Sequence, residues 1–376
     1  MNYGLGELNR NAEKIINQIK NLNERISNVQ SQLNQIQKSI SNETNLSIPK
    51  KDIIQEDYKE PKCYQILDDF SFISKTPYDK YDIFCIFKSS NNILYLVYPN
   101  NSIIILYNLI DKKKITEIKN QHFSEIIHIS HSYDEKANID LLMSASIENG
   151  KITTYVWNLD NLDCINSIQI ITPHYIYFSF LKHITGNYVL VGIQNFHTNF
   201  INVYYSNKGL AKKIKIEEKT DMHCLKTYNS KDSKNYILVG MSDSILSIDF
   251  NTGLTNEFKG LENGRIHKYL IIFEEDNITK LIDGCNDCIY IWNFRNVLMK
   301  IFLDDIYSLC LWNNNILLVG GEKKIYVINL NYGIIIDTIN GDNKVFNIKK
   351  FIHPSYGSCL ASQGEKSNFI IMRKVN

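Results

Sequence analysis

Cys285 and Cys288 are separated by two residues, the spacing of half a zinc site or of a thiol–disulfide pair. Neither chemistry is completed in the sequence. No second CxxC and no HxxxH stands at ligand spacing, and no thioredoxin-like βαβ pattern surrounds the pair. The nine histidines (His122, His128, His131, His174, His183, His197, His223, His267 and His353) are scattered along the chain. His128 and His131 are three apart, a spacing that on a strand sends them to opposite faces. A metal site would then need histidines to meet by chance across the fold. Phosphate cradles of the GxxxxGK[ST] or GxGxxG type and the GxSxG nucleophile elbow do not occur. The carboxylate pairs Asp304-Asp305 and Glu274-Glu275 are adjacent in sequence and read as solvated loop groups. The expectation is a chain with no catalytic residue, no metal and no cofactor, and not an enzyme.

The bulk numbers narrow the partners. Lysine and arginine total 41 against 40 acids in 376 residues, a net charge of +1. That balance supplies no broad basic field for nucleic acid. No apolar run reaches the length of a membrane span, and the first residues lack the apolar stretch of a signal peptide. Eight scattered cysteines without a secretion signal read as reduced, buried thiols in a cytoplasmic protein, with cytoskeletal or nuclear assembly as further settings. No small-molecule substrate is expected.

Any site must be positioned by the chain's regular elements. Leu5, Leu8, Ala12, Ile15, Ile19, Leu22, Ile26, Val29, Leu33, Ile36 and Ile40 are spaced by three and four without a miss. A helix with that repeat carries one continuous apolar seam that another helix must cover. The spacing predicts a coiled coil over residues 1–41; a single amphipathic helix would present a wider stripe. Isoleucine at both core positions leans away from a simple parallel dimer, and the flanking positions, nearly all Asn, Gln or Ser, carry little charge code. Self-association and pairing with a partner's helix both fit. Residues 42–62 read as a linker.

From about residue 80 onward a single theme recurs: short apolar strands, polar turns, and a strand ending in an aromatic or aliphatic residue followed by Asn or Asp. The endings are Tyr107-Asn108, Trp157-Asn158, Tyr205-Ser206, Ile248-Asp249, Trp292-Asn293, Ile328-Asn329 and Met372-Arg373, with 36 to 50 residues between successive ones. This period belongs to four-stranded propeller blades. The uninterrupted apolar runs Ile103–Tyr107, Tyr188–Val191 and Ile316–Val319 suit strands buried on both faces. Asn207-Lys208-Gly209, Asn251-Thr252-Gly253 and Asn331-Tyr332-Gly333 supply tight hairpins. A two-domain β-sandwich fits the period less well.

At the strand endings the chain resembles the WD-repeat family, with Asn usually where that family has Asp. The family's Gly-His survives as Gln121-His122 and in His174. The resemblance implies that Asp287 is the turn aspartate that hydrogen-bonds within its blade. It covers residues 63–376 and implies an all-β, seven-bladed β-propeller preceded by an N-terminal α-helical coiled-coil segment. The last blade would be closed by an N-terminal strand, for which Cys63 to Leu67 and Phe70 to Ser74 are the candidates.

Such a propeller would bind other proteins through its top-face loops. Repeat alignment places Asn100, Asn101, Glu148, Asn149, His197, Asp243, Asp287, Glu322 and Lys323 there. The expected function is a non-catalytic protein–protein interaction scaffold, assembled through the coil. Two alternatives come from resemblance. Trp292-Asn293-Phe294-Arg295 is similar to the WDxR box of substrate receptors of cullin-type ubiquitin ligases. A short coil before seven blades also resembles G-protein-β-like signalling subunits.

Overall fold

The computed structural model describes residues 64–73, 83–119, 121–171, 175–194, 199–216, 221–230, 234–259, 266–275, 278–293, 296–340, 344–364 and 369–375. Six blades are antiparallel meanders of four consecutive strands. Numbered 1 to 6 in chain order, they span residues 85–118, 126–171, 175–216, 222–259, 269–302 and 308–340. A further four-stranded sheet is composite. Val345–His353, Gly357–Gly364 and Phe369–Val375 form three of its strands, and Tyr64–Ile73 pairs antiparallel with the last.

These sheets pack face to face, and strand alternation makes this possible. In the second strand of blade 3, Val189 and Val191 join Leu141, Met143 and Val156 of blade 2, while Leu190 joins Ile237 and Val239 of blade 4. All eight side chains are fully excluded from water. Each such burial is worth roughly 1.5–3 kcal/mol, so every blade is held by both neighbours. The circuit closes where Phe351, Cys359 and Ala361 of the composite sheet pack on Ile83, Phe84, Leu94 and Leu96 at blade 1. First strands touch in cyclic order and surround a central channel.

The residue ending each third strand has a local reason. Asn108 Oδ1 accepts the amides of Ile110 (2.9 Å) and Asp111 (3.1 Å), and Asp249 Oδ1 those of Asn251 (2.9 Å) and Thr252 (2.8 Å). Asn158, Asn293 and Asn329 cap their own hairpins in the same way. An Asx turn needs only a side-chain oxygen, so Asn replaces Asp without loss of structure. In five blades a register shift falls just before the preceding residue, at Tyr107, Trp157, Tyr204, Trp292 and Ile328. Blade 3 therefore ends its third strand on Tyr204-Tyr205, one residue earlier than the expected Tyr205-Ser206.

The expected fold class, seven blades behind an α-helical coiled coil, is corrected in two respects. Six blades, not seven, are repeats of four consecutive strands. Counting third-strand endings treats the final segment as an equal repeat, but a third strand does not bring a fourth with it. The strand beside Phe369–Val375 comes from residues 64–73, with a register break between Ile66 and Ser71. Second, the described residues are all-β and contain no helix. The coiled-coil positions from Leu5 to Ile40 lie outside the described residues. Among the described residues no helix is long and apolar enough to cross a membrane.

Candidate functional site: the channel mouth

One face of the propeller is built from two kinds of segment. Turns between second and third strands lie there, and so do the links that carry the chain from one blade to the next. Backbone hydrogen bonds stitch them together. Ile126 N donates to Asn101 O (3.1 Å), His267 N to Met241 O (3.1 Å), Leu303 N to Asp287 O (3.0 Å) and Val345 N to Gly321 O (3.1 Å). Some links also bond to the blade they enter, as Lys268 N does to Gly284 O (3.1 Å). Glycine at Gly240 and Gly320 lets these links come close: a Cβ on Gly240 would stand 2.2 Å from His267 O, and one on Gly320 2.3 Å from Val345 O.

All the described candidates for partner binding lie in second-to-third-strand turns or end the strand that enters one: Asn100 (strand end) and Asn101 in blade 1, Glu148 (strand end) and Asn149 in blade 2, Asp243 in blade 4, Asp287 in blade 5, Glu322 and Lys323 in blade 6. His197 lies outside the described residues. Asn101, Asn149 and Lys323 have φ of 58°, 50° and 61°, so turn geometry already accounts for the two asparagines. These residues sit one to a blade or as neighbours in one turn. They form a rim rather than a converged catalytic group.

Beneath the rim lie buried polar networks. In blade 2, His122 Nε2 is 2.7 Å from Ser144 Oγ and Nδ1 is 2.7 Å from Ser146 Oγ. Trp157 Nε1 donates to Ser144 Oγ at 2.9 Å. Burial holds the His122 imidazole down at about 4, so the ring is neutral. The Ser144 oxygen accepts from the indole, and the neutral ring joins Ser144 through one nitrogen and Ser146 through the other, one as donor and one as acceptor.

Blade 5 repeats this arrangement with different chemistry. Trp292 pairs with Leu281 as Trp157 pairs with Leu142, which makes Asp283 the equivalent of Ser144 and Cys285 that of Ser146. His267 Nδ1 lies 2.6 Å from Asp283 Oδ2, and both side chains are fully buried. Desolvation pushes the Asp283 carboxyl up, opposed by its contacts to His267, Trp292 and Cys285. Cys285 Sγ is 3.7 Å from His267 Nδ1 and 3.9 Å from Asp283 Oδ2. Three such donors could ligate a zinc ion. Their equivalents in blade 2 are one histidine and two serines in a purely hydrogen-bonded role, which is the reading the repeat favours here also. Sequence reasoning misses His267 as a counterpart of His122. Gly264 stands three residues before it rather than next to it, and only the strand register shows the match. The carboxylate meeting it is Asp283, not the turn residue Asp287, whose carbonyl takes Leu303 N.

The remaining chemistry-bearing residues stay apart. Cys285 N donates to Cys288 O (2.8 Å), so the CxxC forms a tight turn, and both cysteines are buried. Burial pushes the Cys224 thiol up to about 12, far from a reactive thiolate. His128 borders the channel, while His131 bonds Asp140 Oδ1 (2.7 Å) and stacks on Phe87. His174 lies outside the described residues. Asp304 and Asp305 are exposed on a link, and Glu275 pairs with Lys280. Trp292 and Asn293 are used by their own blade, and Phe294 and Arg295 lie outside the described residues.

The channel holds a cavity of about 710 Å³, lined by the first strands of blades 2 to 6 and the composite sheet. Lys226, Lys268, Lys344 and Lys349 border it together with Asp221 and Asp305. Sequence reasoning does not find these lysines, because each is an ordinary charged residue until the ring brings them together.

No family model matches this chain, and no curated protein matches it. Solved structures do. The β-propeller domain of Myceliophteria thermophila Cps50 (Swd1) superposes with a TM-score of 0.61 at 13% identity, covering 83% of this chain and all of that one. BBS1N, in its complex with ARL6DN, superposes with a TM-score of 0.62 at 11% identity, covering 84% of this chain and 97% of that one. At these identities the likeness shows the fold, a β-propeller, and that alone.

Proposed function

We propose that this chain is a non-catalytic interaction scaffold. It assembles through the heptad seam of residues 1–41 and binds partner proteins at the channel mouth. The observation carrying this reading is how the buried titratable side chains are used. His122, His267 and Asp283 are each engaged in hydrogen bonds that hold a link to its blade, which leaves the rim and cavity as the surface offered to a partner. BBS1N, with the same fold, is seen in complex with another protein. The unbroken heptad spacing supports the assembly role.

The test compares full-length chains. One variant carries Ile19→Asp and Ile26→Asp in the seam; the other carries Asp243→Arg, Asp287→Arg and Glu322→Arg on the rim. Light scattering should report a seam variant reduced to the 43.7 kDa monomer while the rim variant keeps the wild-type mass. Affinity capture should lose one set of partners with each. Unchanged mass and unchanged partners in both variants would overturn the reading.

A further inference from the structure

The channel cavity has a sign. Four lysines and two aspartates border it, a balance of +2 (four minus two) in one concavity, whereas the whole chain carries +1. The lysines arrive from three separate sheets. Lys226 lies on the first strand of blade 4, Lys268 immediately precedes that of blade 5, Lys344 immediately precedes the composite sheet's first strand, and Lys349 lies within it. Lys268, Lys344 and Lys349 are half-buried. Charges of one sign in a low-dielectric concavity reinforce one another and draw in counter-charge. Ammonium groups act as separate point charges rather than planar forks, so they suit several anions spread over a ligand better than one bidentate group.

The walls between the lysines are aromatic. Tyr307 and Phe346 meet edge to face with ring centroids 5.4 Å apart, and the Lys344 ammonium lies 5.5 Å from the Tyr307 centroid. A single phosphate would leave most of 710 Å³ unfilled and these rings uncovered. The complementary ligand has several spaced anions on a body that can pack against rings.

From this geometry we propose that the cavity receives an acidic segment of a partner protein, its carboxylates or phosphorylated side chains set against Lys226, Lys268, Lys344 and Lys349. The inference rests on the scaffold reading and names the chemistry of the partner at that same mouth.

The test is fluorescence anisotropy on the full chain with three short dye-labelled peptides of one template: Glu-rich, phosphoserine-containing, and the Gln-substituted neutral form. The expected result is acidic peptides binding at least about tenfold more tightly than the neutral one, an advantage that shrinks with added salt. Lys226→Gln with Lys349→Gln should weaken acidic binding about tenfold or more, while Lys215→Gln on an outer strand leaves it within about twofold. Matching far-UV circular dichroism and urea midpoints establish that the variants are folded. Equal binding of acidic and neutral peptides, no binding of either acidic peptide, or an unaffected lysine double variant would overturn the inference. So would displacement by inorganic pyrophosphate at the peptide's own concentration, which would make this a site for small anions. If the lysine double variant still captures all protein partners of the wild type, the inference fails and the scaffold reading stands. If the wild type itself captures none, the scaffold reading fails.

Discussion

His122 makes the stability of this propeller depend on pH in a direction and window set by its surroundings. Its imidazole is 4% exposed between Ser144 and Ser146, and burial lowers it from 6.5 to about 4. A histidine depressed in the folded state contributes stability that is fully present above 6.5 and is lost as pH falls toward 4, because the unfolded chain takes up a proton the folded chain refuses. At about 1.36 kcal/mol per pH unit, the loss across that window amounts to about 3 kcal/mol. Below it the folded ring also protonates, both ring nitrogens become donors, and the hydroxyls of Ser144 and Ser146 must both accept. Urea unfolding followed by tryptophan fluorescence from about pH 8 to about pH 4 measures this, with His122→Ala as reference. The variant should be less stable at neutral pH by about 2–4 kcal/mol, since it loses two hydrogen bonds and leaves a cavity. Its stability should fall correspondingly less on acidification. A pH profile parallel to wild type, or an NMR titration of His122 centred near 6.5, would refute the reasoning.

Three further outcomes are expected of the same structure. Asp283→Ala should cost about 3–5 kcal/mol by thermal or urea unfolding, because it strands a buried histidine, whereas Asp283→Asn keeps an acceptor, removes the buried acid and should be at least as stable as wild type at neutral pH. Gly240→Ala should destabilise by about 1–3 kcal/mol or more, since the added methyl meets the His267 carbonyl and the Cys224 sulfur, and calorimetry would record the lowered Tm. Lys112, exposed with φ of 52°, should tolerate Lys112→Gly with a change between neutral and about 1 kcal/mol of stabilisation by urea unfolding.

The repeat is legible in the sequence because its markers are local. An apolar run such as Tyr188–Val191 encodes burial on both faces, and the Asn or Asp after it encodes the hairpin cap; both can be read without knowing the neighbours. The Asn-for-Asp exchange looks like erosion in the sequence, yet the cap needs only the oxygen that both residues carry. What escapes depends on register or on closure. The slip at Tyr204 arises from a bulge, which leaves no compositional trace between two tyrosines. His267 can be matched to His122 only through the pairing of Trp292 with Leu281. The channel lysines share no motif: Lys226 and Lys344 border one cavity only once the sheets have closed around an axis.

That closure also has a mechanical consequence. Tyr64 pairs with Val375, and the pairing runs inward from there to Ile73 with Phe369. Tension that draws the chain ahead of Tyr64 away from Val375 would load this terminal pair first, and the strand would come away like a zipper, one rung at a time, rather than resisting in shear. The proposed assembly segment is spliced to the chain just ahead of this latch. Load pulling in that direction would be felt first at the ring's seam, and the six blades, each one continuous stretch of chain, would feel it only after the seam had parted.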